Sequence, residues 1–252
     1  CGVWGLRTTF GMLSLDGAMP FTRSFDTVGW FARDGATMGR VADAFGCPEG
    51  SAPARLLLPV DVWARADPDC VGAVGPAMAR LQAHMGPAVP VVLAPDGLDA
   101  WREVFRVCQA GEVWACLGDW ISRHTPDFGP GTRERFEMAA AIDPACFAAA
   151  SQLHASIRVR MAEIATPDTV LVFPTSPAPA PMLSASSEDL EAFRRRALEM
   201  LCPSGLGGLP QLSVPAGSVD GGPVGLSLIG AAGQDRQLIA LANAAGLGID
   251  PL

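Results

Sequence analysis

The sequence predicts an α/β fold in which a mixed β-sheet is flanked by helices on both faces. One observation is that short apolar runs of strand length alternate with longer stretches whose apolar residues recur at helical spacing. Another is a pair of apolar runs with a period near two, at 203–217 and 223–230, separated by a loop of Gly, Asp and Ser at 218–222. This pair predicts a C-terminal β-hairpin. Because a hairpin is antiparallel and strand–helix alternation favours parallel pairs, the sheet is predicted to be mixed.

The first half of the chain supplies five predicted elements after a loop-rich opening. Residues 1–31 are rich in Gly, Thr and Ser, which is typical of loops and short extended pieces. Beyond them, apolar residues recur every three or four positions or form short runs, and Gly, Pro or polar loops separate the stretches. The patterns predict a helix over 34–45, a strand over 55–60, a helix over 66–85, a strand over 89–93 and a helix over 101–122.

The second half repeats the alternation and ends with the hairpin. Helical spacing predicts helices over 132–138, 144–164, 188–200 and 234–245, and the apolar run 170–174 predicts a strand before a Pro-rich loop. The strands 89–93 and 170–174 are apolar throughout. We therefore expect both to be buried between layers of helices.

Composition restricts the classes of partner and compartment. A net charge of -8 argues against nucleic acid or an anionic membrane as a partner. The longest apolar runs, such as 56–60, fall far short of the roughly 20 residues that cross a bilayer. The 7 cysteines are odd in number and include no C-x-x-C pair, which favours free thiols in a reducing cytosol over a disulfide framework or a zinc site. We expect a cytoplasmic protein with no metal and no cofactor.

The candidate acid–base residues are few. All 18 basic residues are Arg, and Arg cannot serve as a general base because its pKa is too high. Three His residues, His84, His124 and His154, are the usual alternative bases, but no Gly-x-Ser-x-Gly elbow accompanies them. The glycines at 205–208 do not form a nucleotide phosphate loop, since G-x-x-x-x-G-K-[ST] is absent.

The opening of the chain resembles the amidase signature family of serine amide hydrolases. That family typically reads C-G-x-x-G-L-[KR]-P-T, then S-x-x-G, then S-x-D-x-x-G-x-x-A-R. The proline before the threonine is absent here, because Thr8 takes its place. The matching residues are Cys1, Gly2, Gly5, Leu6, Arg7, Thr9, Ser14, Gly17, Ser24, Asp26, Gly29, Ala32 and Arg33.

The C-terminal half resembles the same family independently. Its motifs are D-x-[IL]-[IL]-x-P-[TA]-x-P, a Gly-rich G-[LF]-P-x-[IL]-S-[LV]-P-x-G segment, G-x-P-x-G-[LV]-x-[LF]-[IV]-G and D-x-x-L. The matching residues are Asp168, Pro174, Thr175, Pro177, Gly205, Gly208, Leu209, Pro210, Leu212, Ser213, Pro215, Gly217, Pro223, Gly225, Gly230, Asp235, Leu238 and Ala242. The order and spacing hold along nearly the whole chain. Within the family the sequence most resembles the amidase 1, or indole-3-acetamide hydrolase-like, branch.

The resemblance implies a hydrolase of the Lys–Ser–Ser type that releases ammonia from small neutral amides, aromatic ones included. In that family a neutral Lys draws a proton through a bridging Ser, and a second Ser attacks the amide carbonyl. All three residues precede the C-G-x-x-G-L motif, so no catalytic residue is expected in this chain. Residues 1–252 are then the C-terminal portion of a single amidase signature domain, inactive in isolation. Their expected partners are an N-terminal segment with the Lys and both Ser and a small amide, and a homodimer is kept open.

The resemblance also indicates where a substrate would be contacted. In the family the Gly-rich segment before the hairpin lies close to the site, and glycines let the backbone approach the acyl group. The alternative is that these residues only shape the start of the hairpin. Trp114 and Trp120 lie six apart on one predicted helix, so at most one can wall a pocket, and core packing is the default for both. Ser213 is interpreted as a strand residue. The candidate substrate-binding residues are Trp120, Cys202, Ser204, Gly205, Leu206 and Gly207.

Two other functions stay open on the sequence. One is the glutaminase (A) subunit of tRNA-dependent amidotransferases, which carries an Asp shortly before the G-L-P segment. Here Leu198 occupies that place and Glu199 is displaced by one position, which argues against glutamine. The other is a non-catalytic docking module, since some family members lose their catalytic residues.

Overall fold

The computed structural model describes residues 2–129 and 131–248, which form seven strands and eight helices. Cys1, the first residue of the opening motif, lies outside the described residues. The strands are β1 Trp4–Arg7, β2 Gly29–Ala32, β3 Arg55–Pro59, β4 Val89–Val91, β5 Thr169–Pro174, β6 Gln211–Val219 and β7 Gly222–Ile229. The helices are α1 Gly35–Ala44, α2 Val60–Trp63, α3 Pro68–Met85, α4 Leu98–His124, α5 Thr132–Ala140, α6 Pro144–Ile164, α7 Ser187–Gly207 and α8 Asp235–Ala244.

Side-chain caps fix where three of the helices begin. Asp34 accepts a hydrogen bond from the Thr37 N–H at 2.6 Å and starts α1. Asp143 caps α6 in the same way, with Pro144 in the first turn, where the missing proline N–H costs nothing. Ser186 accepts from the Asp189 N–H and starts α7. The helices are therefore positioned by local chemistry that is visible in the sequence.

The strands form one mixed sheet in the order β2-β1-β6-β7-β5-β3-β4. The pairs of β3 with β4 and with β5 are parallel, and the other four pairs are antiparallel. β6 and β7 are the two strands of the predicted hairpin, and its turn contains Asp220 at a φ of 49°. The mixed α/β sheet and the C-terminal hairpin predicted from the sequence are confirmed.

Helices cover both faces of this sheet. On one face α1, α3 and α8 pack over alternate residues of six strands, including Leu6, Val172 and Leu212. On the other face α4, α6 and α7 pack over the residues of β3, β5 and β7 that point the opposite way, including Leu57 and Phe173. Each layer seals a core whose large side chains are almost fully removed from water, which is the main source of stability for this architecture.

Half of the second face carries no such cover. Among the described residues, the core under α4, α6 and α7 includes none from β1, β2 or β6. The residues of these strands that point to this face are small, polar or exposed. Phe31 on β2 is 82% exposed, and its ring lies against Gly5 of β1, where a Cβ would come within 3.0 Å. We call this region the open half-face; it is defined by β2, β1 and β6.

Two sequence predictions about these elements are wrong. The strand predicted over 89–93 is only Val89–Val91, and Val89 is 53% exposed because β4 is an edge strand instead of a buried one. The helix predicted over 188–200 runs on to Gly207, through Pro203. Pro203 has no N–H to donate, so the Glu199 carbonyl loses the hydrogen bond that a helix normally gives it from residue 203, and it accepts from the Cys202 thiol at 3.8 Å. Burial of the whole segment outweighs that loss.

Candidate functional site

The last turn of α7 holds five of the six predicted substrate-binding residues. Cys202, Ser204, Gly205, Leu206 and Gly207 are all buried there. The helix ends at Gly208 in the left-handed region, with the Leu209 N–H donating to the Ser204 carbonyl at 3.0 Å. Gly205 packs against the Phe105 ring of α4, where a Cβ would lie 3.2 Å away. The structure thus brings these five residues together, within a packed helix end.

Ser204 opens a chain of polar side chains that crosses the sheet. Its hydroxyl lies 2.6 Å from Gln211 Oε1, and Gln211 Nε2 donates to Ser227 Oγ at 2.9 Å. Thr175 Oγ1 lies 2.9 Å from Ser227 Oγ and 2.8 Å from Ser213 Oγ. We call these five residues the polar cluster. It connects α7, β6, β7 and the residue that follows β5 at the border of the open half-face.

A small cavity of about 140 Å³ lies at the far end of the polar cluster. Ser213 lies on β6, which confirms its interpretation as a strand residue, and it also lines this cavity. Gly225 faces the same hydroxyls, and a Cβ there would lie 3.0 Å from Thr175 Oγ1 and 3.2 Å from Ser213 Oγ. The lining residues are Gly2, Val3, Thr175, Ser176, Ser213, Val214, Pro215, Pro223, Val224 and Gly225. The lining of the cavity thus combines polar groups, among them three hydroxyl residues, with Gly, Pro and Val residues in similar measure.

His154 of α6 supports the end of α7 from the other side. Its Nε2 lies 3.0 Å from the Leu206 carbonyl oxygen, and its ring stacks on Phe25 at a centroid distance of 4.9 Å. A carbonyl can only accept, so Nε2 carries the proton. Burial lowers the pKa of His154, which favours the neutral ring. The arrangement is that of a packing residue that fixes the helix end.

A loop from the start of the chain closes over the same helix end. The Phe10 N–H donates to the Gly208 carbonyl at 3.0 Å. The Arg158 guanidinium lies 5.0 Å from the centroid of the Phe10 ring, a cation–π contact. Gly208 has a φ of 64°, so its left-handed backbone favours glycine, and a Cβ there would also displace the end of the Arg158 side chain.

Cys202 and Trp120 have surroundings that limit what they can do. Burial strongly raises the pKa of the Cys202 thiol, which keeps it protonated and a poor nucleophile. Trp120 is 48% exposed and stacks on His124 at 5.2 Å. It lies fifteen positions beyond Phe105 on α4, which is about 22 Å along the helix axis. The structure therefore places Trp120 well apart from the end of α7.

Glu199, about two turns before the end of α7, is held in a double ion pair. Its carboxylate lies 3.1 Å from Arg65 Nε and 2.9 Å from Arg102 Nη1, and its side chain is 7% exposed. Both carboxylate oxygens are thus engaged by protein cations. Leu198, beside it, packs on the core under α4, α6 and α7. Neither position offers a free carboxylate to a ligand.

Two residues of the sequence motifs meet across the full length of the chain. Asp235 at the start of α8 is fully buried and accepts from Thr9, from the N–H at 2.8 Å and from the hydroxyl at 2.6 Å. Thr9 Oγ1 in turn accepts from the Gly233 N–H at 2.9 Å. Burial raises the pKa of Asp235, and the hydrogen bonds from Thr9 oppose that shift. These motif positions tie the first strand to the last helix.

A larger cavity of about 450 Å³ lies on the other side of the sheet. It is bounded by the end of α3 with His84, by the loop around Glu49 and by α8 with Arg236. The Arg236 guanidinium is already paired with Asp43 and lies 3.6 Å from a Glu49 oxygen. The sheet separates this cavity from the polar cluster. The three His residues named from the sequence therefore lie apart, since His84 lines this cavity, His154 contacts the end of α7 and His124 stacks on Trp120.

The described residues do not meet the requirements of a metal site, a membrane-spanning helix or a disulfide. Within residues 2–129 and 131–248, no group of three or more His, Cys, Asp and Glu side chains could hold a metal ion. No helix of these residues is both long and apolar enough to cross a bilayer. The six described cysteines are all free thiols.

Comparison with known proteins agrees with the resemblance seen in the motifs. Residues 124–239 match the family model described as Amidase. The chain is 31% identical to Amidase 1 of Arabidopsis thaliana over 96% of its own length. The chain is thus similar to amidases along most of its length, and its residues 124–239 match the amidase family itself. It spans 65% of the length of that relative.

Other relatives that the chain resembles have diverse names. It is 30% identical to a glutamyl-tRNA(Gln) amidotransferase subunit of Roseiflexus castenholzii, with 97% of the chain and 58% of the relative covered. It is 26% identical to the chloroplastic outer envelope protein 64 of Arabidopsis thaliana, with 95% and 45% covered. A solved amidase structure superimposes with a TM-score of 0.83 at 24% identity, covering 98% of this chain and 59% of the other, which shows that the fold is shared.

The polar cluster is the feature that sequence analysis did not find. From the sequence, Thr175 is a motif position, Ser213 is a motif position and a strand residue, and Gln211 and Ser227 are not singled out. A signal for two of them exists, because Gln211 and Ser213 alternate with the core residues Leu212 and Val214 on one strand. Polar residues at alternate positions of an otherwise apolar strand indicate a second face with its own chemistry.

Proposed function

We propose that this chain is the C-terminal portion, residues 1–252, of a serine amidase of the Lys–Ser–Ser type that releases ammonia from small neutral amides, aromatic ones included. The observation that carries the proposal is the 31% identity to Amidase 1 over 96% of the chain, with only 65% of that relative covered. In this proposal the chain supplies scaffold and pocket walls. An N-terminal segment of the same protein supplies the Lys and both Ser.

The side chains around the candidate site support that division of labour. Amide hydrolysis needs a nucleophile within hydrogen-bond reach of a base. The sequence contains no Lys, and no His, Asp or Glu among the described residues bonds to a hydroxyl of the polar cluster. Of the two acceptors near Ser204 Oγ, Gln211 Oε1 at 2.6 Å is closer than the Leu201 carbonyl at 3.1 Å, and neither is a base that could activate the hydroxyl oxygen. A complete site therefore requires groups from outside these residues.

The open half-face is the place where we propose that the N-terminal segment packs. Phe31 on β2 is 82% exposed, and Val3, just before β1, is 41% exposed. Gly2 and Val3 also line the small cavity. A half-covered sheet face with exposed apolar side chains favours association with another segment. A segment that joins directly to the start of this chain would reach the cavity within a few residues.

The surroundings of Glu199 support a neutral substrate. A zwitterionic amide such as glutamine needs a carboxylate partner for its ammonium group. Leu198 is apolar, and Glu199 is committed to Arg65 and Arg102. We therefore propose a preference for neutral, partly apolar primary amides over glutamine.

Ammonia release by the complete protein tests this proposal. With indole-3-acetamide or benzamide as substrate, we expect turnover by the complete protein and none above background by residues 1–252 alone, because loss of a catalytic triad costs about 10⁴-fold or more. Faster turnover of glutamine than of either amide would refute the assigned substrate class. Turnover by residues 1–252 alone that is lost on His84→Ala, His124→Ala or His154→Ala would refute the Lys–Ser–Ser assignment.

Two further functions have relatives that favour them. Similarity to a glutamyl-tRNA(Gln) amidotransferase component keeps a glutaminase role in view, and similarity to a chloroplast outer envelope protein keeps a non-catalytic docking module in view. The upstream coding sequence separates the docking module from the amidase, and the turnover of glutamine separates the glutaminase. A Lys and a G-T-D-x-G-G-S loop there would support catalysis, and their loss would support docking.

The free thiols support a proposed location in the cytoplasm. Six cysteines are described, none is in a disulfide, and four of them are buried. Unpaired buried thiols are typical of proteins in reducing compartments. Fractionation of cells that express the tagged complete protein would test this, and recovery with membranes or an organelle would contradict it.

A further inference from the structure

The hydrogen bonds of the polar cluster run in one direction, and the first of them sets that direction. Ser204 Oγ and the facing Gln211 atom are 2.6 Å apart, whereas Ser227 Oγ and the other Gln211 atom are 2.9 Å apart. The shorter distance suits O–H···O and the longer one suits N–H···O. The Gln211 amide is therefore oriented with its oxygen toward Ser204 and its nitrogen toward Ser227.

Burial fixes the next two hydrogen bonds. Ser227 is 0% exposed and already accepts from Gln211, so its own hydrogen has Thr175 Oγ1 as its acceptor. A buried hydroxyl that failed to donate would lose a hydrogen bond that water supplies in the unfolded chain. Thr175 accepts from Ser227 and accordingly donates to Ser213 Oγ at 2.8 Å.

The last hydroxyl of the series is left with a free hydrogen. Ser213 Oγ accepts from Thr175, and among the described residues its hydrogen has no acceptor. Ser213 is half-buried and lines the 140 Å³ cavity, whose other walls are mainly Gly, Pro and Val. The neighbouring Ser176 hydroxyl is used, since it donates to the Ala178 carbonyl at 2.8 Å. The cavity therefore presents one oriented and unused O–H donor beside a lining that is partly apolar and carries no charged side chain.

We propose that Ser213 is a substrate-binding residue whose hydroxyl donates to an oxygen of the bound amide, and that Thr175 positions it. This rests on the proposed function for the identity of the substrate. The chemistry of the cavity selects a small neutral ligand with a carbonyl oxygen, because Ser213 offers an unused O–H donor and the lining includes no charged side chain. Gly225 keeps the space beside both hydroxyls free, which a methyl group would fill.

Kinetics of the complete protein with benzamide provide the main test. Ser213→Ala is expected to raise KM about 3- to 10-fold with a smaller change in kcat, as for a lost neutral hydrogen bond that acts in ground and transition states alike. Ser213→Thr keeps the hydroxyl, so its KM should stay close to that of the parent. Thr175→Val removes the donor to Ser213 at nearly constant shape and should raise KM in the same direction.

Ser218→Ala is the matched control. Ser218 lies on the same strand, is exposed, and its side chain takes part in no interaction among the described residues. It should leave both constants within about twofold of the parent. A Ser213→Ala protein that behaves like this control would overturn the proposal, and so would a Ser213→Ala protein that loses thermal stability but keeps its KM.

A binding measurement separates this proposal from the proposed function. Acetamide is small enough for the cavity, and its titration should shift the backbone NMR signals of Ser213 and Gly225, with saturation at a roughly 3- to 10-fold higher concentration in Ser213→Ala. Such binding without hydrolysis of any amide would refute the amidase function alone. Hydrolysis by the parent, with no acetamide-dependent shift at these two residues, would refute the role of Ser213 alone.

Discussion

Replacing Asp235 with Ala should detach the start of the chain from its last helix. In the folded protein Asp235 is fully buried, and it is the acceptor for both the N–H and the hydroxyl of Thr9. Alanine offers no acceptor, and the site is too deep for water to replace the carboxylate without rearrangement. Two donors of Thr9 would then be left without partners.

The contacts set the size of the effect. Each buried donor that loses its partner costs about 1–3 kcal/mol. The loss is offset in part, because the buried carboxylate itself is costly, as the raised pKa of Asp235 shows. The net destabilisation for Asp235→Ala should be about 2–4 kcal/mol, which is a large share of the roughly 5–15 kcal/mol typical of a domain.

Urea unfolding followed by circular dichroism measures this difference as a shift in the midpoint at constant slope. Asp16→Ala is the matched control, since Asp16 is exposed and its carboxylate accepts no hydrogen bond among the described residues, and it should change stability by less than about 0.5 kcal/mol. The double variant with Thr9→Val should be less destabilised than the sum of the two single changes. An Asp235→Ala protein within about 0.5 kcal/mol of the parent would show that the reasoning on buried donors is wrong here.

Three other outcomes are expected. Burial lowers the pKa of His154 below its ordinary 6.5. As the pH falls below about 6.5, the unfolded chain therefore takes up a proton before the folded chain does, and the free energy of unfolding decreases. Between about pH 7.5 and 5 this free energy should fall less steeply in His154→Gln than in the parent, and equal slopes would contradict the lowered pKa. Glu199→Ala removes the carboxylate that pairs with Arg65 and Arg102 and should lower the free energy of unfolding by about 2 kcal/mol or more. The control Glu103→Ala breaks an exposed pair with Arg106 and should lower it by less than about 1 kcal/mol. Equal losses of stability in the two variants would argue against a stabilising role of the buried pair. Activity of the complete protein should survive EDTA, and a loss restored by zinc would contradict acid–base chemistry without a metal.

Elements with strong local signals were predicted well from the sequence. The helix Pro144–Ile164 was predicted with its observed ends, because Asp143 and Pro144 mark its start and its apolar period is unbroken. The end of α7 was missed for the opposite reason. Pro203 and three nearby glycines are local signals for a break, and burial against α4 and α6 overrides them. The exposure of Val89 could not be predicted, because a short apolar run in the sequence is compatible with an edge strand and with a central strand alike.

The candidate site was predictable only in part. Cys202 to Gly207 were placed together correctly because they are contiguous, and a resemblance was enough to single them out. The polar cluster joins Ser204 to Thr175 through residues on β6 and β7, so it depends on the strand order β6-β7-β5. That order is a property of the folded sheet. No pattern within one strand reveals which hydroxyl will face it from the next.

The pairing of β1 with β6 has a consequence for how the protein is made. Leu6 pairs with Leu212, so a strand at the start of the chain must wait for one more than 200 residues later. At a synthesis rate of about 5–20 residues per second, that wait lasts roughly 10–40 s on the ribosome. Throughout it, β1 and β2 can pair only with each other, and their apolar side chains lack the rest of the sheet. The nascent chain therefore exposes apolar surface that favours aggregation during that interval, and contacts so distant in sequence also predict slow refolding after dilution from denaturant.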